Sequence, residues 1–179
     1  MTLPAPRSLD ASPRDLLAEL GTHRPELDIV RDCVDLLRGA DPADHADLLP
    51  YLAGVPGARY PAAGWKDFWP RSWGARALLY VWDDVAATAV LEGLHDPAWR
   101  VAEMCLKVCA ARQLPSGDAA VVLAGHELPR VRAAAIRALG VAGDTEHVAV
   151  VEDGLRDDAQ EVRRAAGLAL DRMRDRLDV

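Results

Sequence analysis

The stretch that decides the fold reads Pro129-Arg130-Val131-Arg132-Ala133-Ala134-Ala135-Ile136-Arg137-Ala138-Leu139-Gly140. Its apolar residues recur three and four positions apart, counted from Val131, and this spacing predicts an amphipathic helix. Pro129 stands at the first helical position, and Gly140 predicts the end of the helix.

Two further copies of this stretch align with it without gaps, and their key valines are Val101, Val131 and Val162. A shorter helix is predicted before each copy, over residues 84–93, 117–125 and 145–154, and a weaker fourth copy lies upstream. One pair of helices cannot bury its apolar face alone, so neighbouring pairs are expected to stack.

The shared core, Asp-x-x-x-x-Val-Arg-x-Ala-Ala-x-x-Ala-Leu-Gly, resembles the short bacterial HEAT-like repeat over residues 73–174. Residues 69–84 look like the matching part of bacterial HEAT-repeat domain proteins of unknown activity. The resemblance implies an all-α fold, a right-handed α-solenoid of stacked helix-turn-helix repeats of the armadillo-like kind. It brings no activity with it.

The chain is expected to form a single domain in three parts: a disordered N-terminus at residues 1–11, divergent capping helices at 12–64, and the HEAT-like repeats at 65–179. Local signals place helices from Ser12-Pro13, from Pro25 and from Asp41-Pro42, the last continuing through Leu52. A solenoid end needs a polar outer face, which the acidic N-terminal third supplies.

The composition limits the classes of function. A net charge of −7 disfavours a dedicated nucleic-acid binder, because such proteins must neutralise phosphates. Three cysteines are too few for a disulfide framework, which indicates a reducing cytoplasm. No apolar run has the length of a membrane span.

A row of cations is the first candidate binding feature. Arg76, Lys107 and Arg137 occupy the same repeat position, on the helix that lines the concave face in HEAT-like units, and Arg132 stands at a neighbouring position. One interpretation is that these cations bind phosphates or an acidic partner. The other is that these cations pair with local acids.

A tryptophan cluster is the second candidate. Trp65, Trp69 and Trp73 recur every four residues, and they form either an aromatic wall for a ligand or a seal between the capping helices and the repeats. Trp99 lies two residues before the repeat valine Val101, where the apolar stripe begins. It is therefore expected to be partly exposed.

Trp99 and Glu103 lie one helical turn apart, an arrangement loosely similar to that of HEAT-like DNA glycosylases, which hold an alkylated nucleotide with Trp and a carboxylate. Under the hypothesis of a DNA glycosylase, Trp99 and Glu103 are the catalytic pair. Bilin lyases with HEAT-like repeats resemble this chain only in the repeat consensus. The hypothesis of a lyase-type protein predicts a bound chromophore or other small molecule.

No catalytic or cofactor-binding signature occurs, so we expect no enzyme activity, no cofactor and no metal site. Cys105 and Cys109 align with apolar core positions and are expected to be buried. The sequence therefore predicts a non-enzymatic scaffold whose concave face holds a protein or peptide, with nucleic acid as the alternative partner.

Overall fold

The fold was analysed in a computed structural model that describes residues 3–62 and 65–177. Within these ranges the chain forms helices, turns and loops and has no β-strand. The chain divides into two compact units, Met1–Val90 and Leu91–Val179, which are described separately. The predicted all-α class is confirmed.

The first unit contains five α-helices: α1 (Pro13–Leu20), α2 (Glu26–Leu37), α3 (Leu49–Ala53), α4 (Val55–Ala58) and α5 (Phe68–Ala77). Ser12 caps α1, since its hydroxyl accepts a hydrogen bond from the Asp15 backbone N–H. α2 packs against α5, and a Cβ on Gly74 would lie 2.6 Å from the Cys33 carbonyl oxygen. Glycine thus permits the close approach of these two helices.

The N-terminal segment contacts the helices of the first unit. The Leu3 N–H donates to Asp47 at 3.0 Å, and the Tyr51 hydroxyl donates to the Pro4 carbonyl at 3.0 Å. Met1 and Thr2 lie outside the described residues, and the disorder expected for residues 1–11 stays a prediction.

The second unit contains α7 (Trp99–Arg112), α8 (Gly117–Ala124), α9 (Pro129–Ala142), α10 (Val148–Asp153) and α11 (Gln160–Leu177), while α6 (Ala87–Glu92) spans the unit boundary. α9 packs against both α7 and α11, and α8 and α10 pack against the long helices that follow them. Long second helices thus form one layer and short first helices another, as predicted for an α-solenoid.

In all three repeats a side-chain acceptor caps the turn before the long helix. The carboxylates of Asp96 and Asp157 accept from the N–H two residues ahead, at 2.7 and 2.8 Å. In the middle repeat the Nδ1 of His126 accepts instead, from the Leu128 N–H at 3.0 Å. An imidazole nitrogen therefore takes the place of a carboxylate oxygen at one cap.

Gly140 does not end its helix, which corrects the expectation from sequence. α9 continues to Ala142 and ends at Gly143. A Cβ on Gly140 would lie 2.5 Å from the Ala169 Cβ and 2.6 Å from its Cα. The glycine is there because α9 and α11 cross at this point with no room for a side chain.

Candidate functional site

The candidate surface is the exposed side of the three long helices of the second unit. Because α9 lies between α7 and α11, side chains at equivalent repeat positions are separated by the helix-packing distance of about 8–10 Å. We call this surface the second-helix face. Its exposed or half-buried residues are Trp99, Arg100, Lys107, Arg130, Arg137, Gln160, Glu161, Arg164 and Leu168.

A buried carboxylate anchors one end of this face. Glu103 is only 4% exposed, and its Oε1 lies 2.7 Å from the Lys107 Nζ. Arg130, from the next repeat, places its Nε 3.0 Å from Oε2 and donates from Nη2 to Oε1 at 3.1 Å. Two cations therefore compensate the carboxylate, as burial of a charge requires.

Trp99 lies beside this ion-pair cluster. The Cζ of Arg100 stands 4.1 Å from the ring centroid, and that of Arg130 stands 5.0 Å from it. Both distances are within the range of cation–π attraction. Glu103 and the Trp99 ring thus both contact the Arg130 side chain, and these two contacts favour one position of its guanidinium.

A shallow cleft of about 510 Å³ lies at the other end of the face, between α9 and α11. Arg137, Arg164 and Leu168 line it. Both arginines are exposed, and among the described residues neither has a hydrogen-bond or ion-pair partner. Leu168 is 52% exposed. The cleft therefore combines two available cations with an apolar side chain.

The sequence-predicted residues are only partly brought together. Trp99, Glu103 and Lys107 form one cluster on α7. Arg137 lies on the same face, on the neighbouring long helix α9. Arg76 belongs to the first unit and donates from Nη2 to the Leu52 carbonyl at 2.5 Å. Burial lowers the pKa of its guanidinium, and this inward position removes Arg76 from an exposed row.

Arg132 has a structural role. Its Nε and Nη2 bind both oxygens of Asp157 in the next repeat, at 2.7 and 2.8 Å. Its Nη1 also donates to the carbonyls of His126 and Glu127. These hydrogen bonds hold the pKa of the Asp157 carboxyl below its usual range. These contacts favour the interpretation of Arg132 as a cation paired with a local acid.

The rings of Trp65, Trp69 and Trp73 pack mainly against one another. Trp65 and Trp69 each have ring centroids within 5.5–6.0 Å of the ring of Trp73, which is 4% exposed. Tyr60 meets Trp65 and Trp73 edge-on. This mutual packing favours a structural role for the three tryptophans over a ligand-binding surface. Trp65 and Trp69 are half-buried rather than buried.

Sequence reasoning missed Arg130 and Arg164 as members of the face. Arg164 aligns with Glu103 and Ala133, so the repeat alignment gave no conserved charge at that position. The available signal was its place one turn before Leu168, on the same side of α11. The repeat alignment could not reveal the role of Arg130, because its partner Glu103 lies in the preceding repeat.

The three cysteines are buried, as expected for Cys105 and Cys109. Burial raises the pKa of the Cys109 thiol to about 12, and it also raises the pKa values of Cys33 and Cys105 well above the ordinary thiol range. These thiols are therefore poor nucleophiles and poor metal ligands.

Two groups of acids and a histidine come close enough to hold a cation, Asp32-Asp35-His45 and Asp144-Glu146-His147. Protein groups already contact their most buried members. Asp32 pairs with Arg24 at 2.8 Å, and the Nδ1 of His147 accepts from the Asp144 N–H at 2.8 Å. The absence of a metal site stays a prediction.

A family model described as HEAT repeats matches residues 87–171. No curated protein and no solved structure gives a significant match to the chain. None of the helices in residues 3–62 and 65–177 combines the length and apolar character needed to cross a bilayer. The matched region holds all three copies of the sequence repeat, from α6 into α11. Residues 87–171 therefore form a region of HEAT-like repeats within the chain.

Proposed function

We propose that this protein is a non-enzymatic binding module whose second-helix face, the expected concave side of the repeats, holds a protein or peptide partner. HEAT repeats commonly serve as protein-interaction scaffolds. The observation that carries the proposal is the cleft where Arg137 and Arg164, both without partners among the described residues, stand beside the half-exposed Leu168.

The energetics of these side chains support a binding role. An arginine without an ion-pair partner gives the fold no compensating interaction, yet its planar fork suits bidentate contact with carboxylates. An exposed leucine contributes stability only when another apolar group covers it. Partner binding gives both kinds of residue an interaction that the free protein lacks.

Base excision is a weaker candidate for this surface. A glycosylase-like function needs the Glu103 carboxylate to be available for a substrate. Lys107 and Arg130 together contact both of its oxygens. Nucleic-acid binding without catalysis stays as the second candidate, because Arg100 and Arg130 lie over the Trp99 ring on a locally basic surface. A cytoplasmic location also stays a prediction, drawn from the small number of cysteines.

The proposal is tested by affinity capture from a lysate of the source organism. The wild-type protein is compared with Arg137→Glu/Arg164→Glu and with a control variant, Arg156→Glu/Arg174→Glu, which makes the same change in net charge. Arg156 and Arg174 are exposed and form local pairs with Asp153 and Asp171. A protein that wild type and control recover, and that the face variant loses, supports the proposal. Equal recovery by all three proteins refutes it.

Nuclease treatment of the lysate separates the two candidates. If recovery of the partner persists after nucleic acid is digested, a direct protein contact is indicated. If recovery disappears, the contact runs through nucleic acid, and binding to short duplexes should then weaken steeply with salt.

A further inference from the structure

The second-helix face is basic in a chain that is acidic as a whole. Five cations stand on it together with the carboxylates Glu103 and Glu161. The exposed Asp171, one turn beyond Leu168 on α11, pairs with Arg174 at 3.6 Å. Glu103 is buried and paired, so it adds little negative potential outside the protein. The net charge of the chain is −7, and this face therefore has the opposite sign to the whole.

The cations differ in how they are held, and this difference has a consequence for binding. Arg130 is fixed by its bidentate pair with Glu103 and by the Trp99 ring. Arg137 and Arg164 have no such partners within the described chain. A prearranged cation loses little freedom on binding, while the unpartnered cations gain their first ion pairs.

Leu168 gives the face an apolar point of attachment. It takes the repeat position that Lys107 and Arg137 occupy in the two preceding repeats, and it is half-exposed at the wall of the cleft. The row therefore changes from charged to apolar at its last step. A ligand that follows the row needs acidic groups along most of its length and an apolar group at one end.

We propose that the second-helix face binds an acidic peptide segment of a partner protein, with carboxylates on Arg137 and Arg164 and an apolar side chain against Leu168 in the 510 Å³ cleft. The inference rests on the proposed function and specifies its partner class.

An acidic peptide fits the surface better than a nucleic acid does. Single-stranded nucleic acids gain affinity by stacking bases on open aromatic rings, whereas two guanidinium groups already lie over the Trp99 ring. A nucleic acid also offers no branched aliphatic side chain to cover Leu168, since its main apolar substituent is the small thymine methyl group. Carboxylates on a peptide match the arginine fork equally well, and a neighbouring leucine side chain matches the cleft.

The test is a fluorescence-anisotropy titration with the full-length protein and defined probes. The main probe is a fluorescein-labelled peptide of repeated Glu-Glu-Leu units. Three comparison probes replace Glu by Lys, replace Leu by Ser, or are a short oligothymidine. The protein variants are Arg137→Glu/Arg164→Glu, Leu168→Ser and the off-face control Arg156→Glu/Arg174→Glu.

We expect the Glu-Glu-Leu probe to bind wild type and control alike, within about twofold, and to bind the face variant about tenfold more weakly or worse. Leu168→Ser should weaken this probe about threefold or more, and it should have less effect on the probe that lacks leucine. Affinity should fall as salt is added, since exposed charges carry the contact. The lysine probe should not bind.

Loss of affinity in the off-face control equal to that in the face variant would overturn the inference, as would an absence of binding by the acidic probe. Tighter binding of oligothymidine would replace the acidic peptide by a nucleic acid. If the acidic probe fails while affinity capture still recovers a face-dependent protein, the partner class is wrong and the proposed function stands.

Discussion

Arg132→Ala should separate the interaction between repeats from the capping of a single turn. The Arg132 side chain joins two repeats through its bidentate contact with Asp157 and also donates to two carbonyls in its own turn. Arg163 occupies the equivalent position in the last repeat. It donates to the carbonyls of Asp157 and Asp158, and among the described residues it has no carboxylate partner.

The size of the effect follows from burial. The side chains of Arg132 and Asp157 are 18% and 14% exposed. Exposed pairs contribute about 0–1 kcal/mol, whereas breaking a fully buried pair costs about 3–5 kcal/mol. A mostly buried bidentate pair should thus contribute about 2 kcal/mol. The two carbonyl contacts contribute about 1 kcal/mol together.

Urea unfolding followed by circular dichroism at neutral pH measures this difference. Arg132→Ala should lower the free energy of unfolding by about 3 kcal/mol, and Arg163→Ala by about 1 kcal/mol. A double-mutant cycle with Asp157→Asn should give a coupling energy of about 1–2 kcal/mol for Arg132 and a smaller one for Arg163, which acts on this carboxylate only as a nearby charge. Equal losses for the two alanine variants would refute the inter-repeat contact as a source of stability.

Further predictions concern the helix contact, acid stability and the thiols. Gly140→Ala should destabilise the protein by about 1–3 kcal/mol because its Cβ meets Ala169. The matched change Gly167→Ala, which meets no atom within 4 Å, should stabilise it by about 0.5–1 kcal/mol; thermal melts compare the two, and equal shifts would contradict the tight crossing. The pKa of Asp157 is lowered in the folded state, so its contribution to stability should be present above about pH 4 and lost as the pH falls through the folded pKa. Urea unfolding between neutral and acid pH should show this loss in wild type and less of it in Asp157→Asn, and the same slope in both would exclude Asp157 as its source. The buried thiols, including Cys109 with a pKa of about 12, should react with a disulfide reagent at mildly alkaline pH only as fast as the protein opens; rapid labelling of all three would contradict their burial.

The repeat pattern predicted the second unit well because each long helix has the same apolar spacing and a clear start. Pro129 begins α9 as expected, and the short helices α8 and α10 lie within their predicted ranges. The error at Gly140 arose because a glycine that ends a helix and one that admits a neighbouring helix look alike in a single sequence.

The N-terminal third was harder to predict because it has no repeat to compare with. The helix expected from Asp41 through Leu52 is instead a 3-10 turn at Pro42–His45 followed by the separate α3. Pro50 supplies the physical reason, since proline cannot donate the backbone hydrogen bond that a continuous helix needs at that point. Local signals therefore predicted the helix starts better than the helix lengths.

The candidate site was predicted residue by residue but not as an arrangement. Aligned copies place Glu103 level with Ala133, whereas its actual partner in the next repeat is Arg130. The contact is offset by about one helical turn, and this offset depends on how two helices slide along each other when they pack.

The most direct measurement is site-specific photo-crosslinking in cells of the source organism. A photoreactive amino acid replaces Arg164 on the second-helix face or Val122 on α8, which is 76% exposed and lies in the layer of first helices. The account predicts a crosslinked protein of defined mass from position 164 and not from position 122, with loss of the adduct when Arg137→Glu is added. Adducts from position 122 alone, or a crosslink to nucleic acid at position 164, would contradict it.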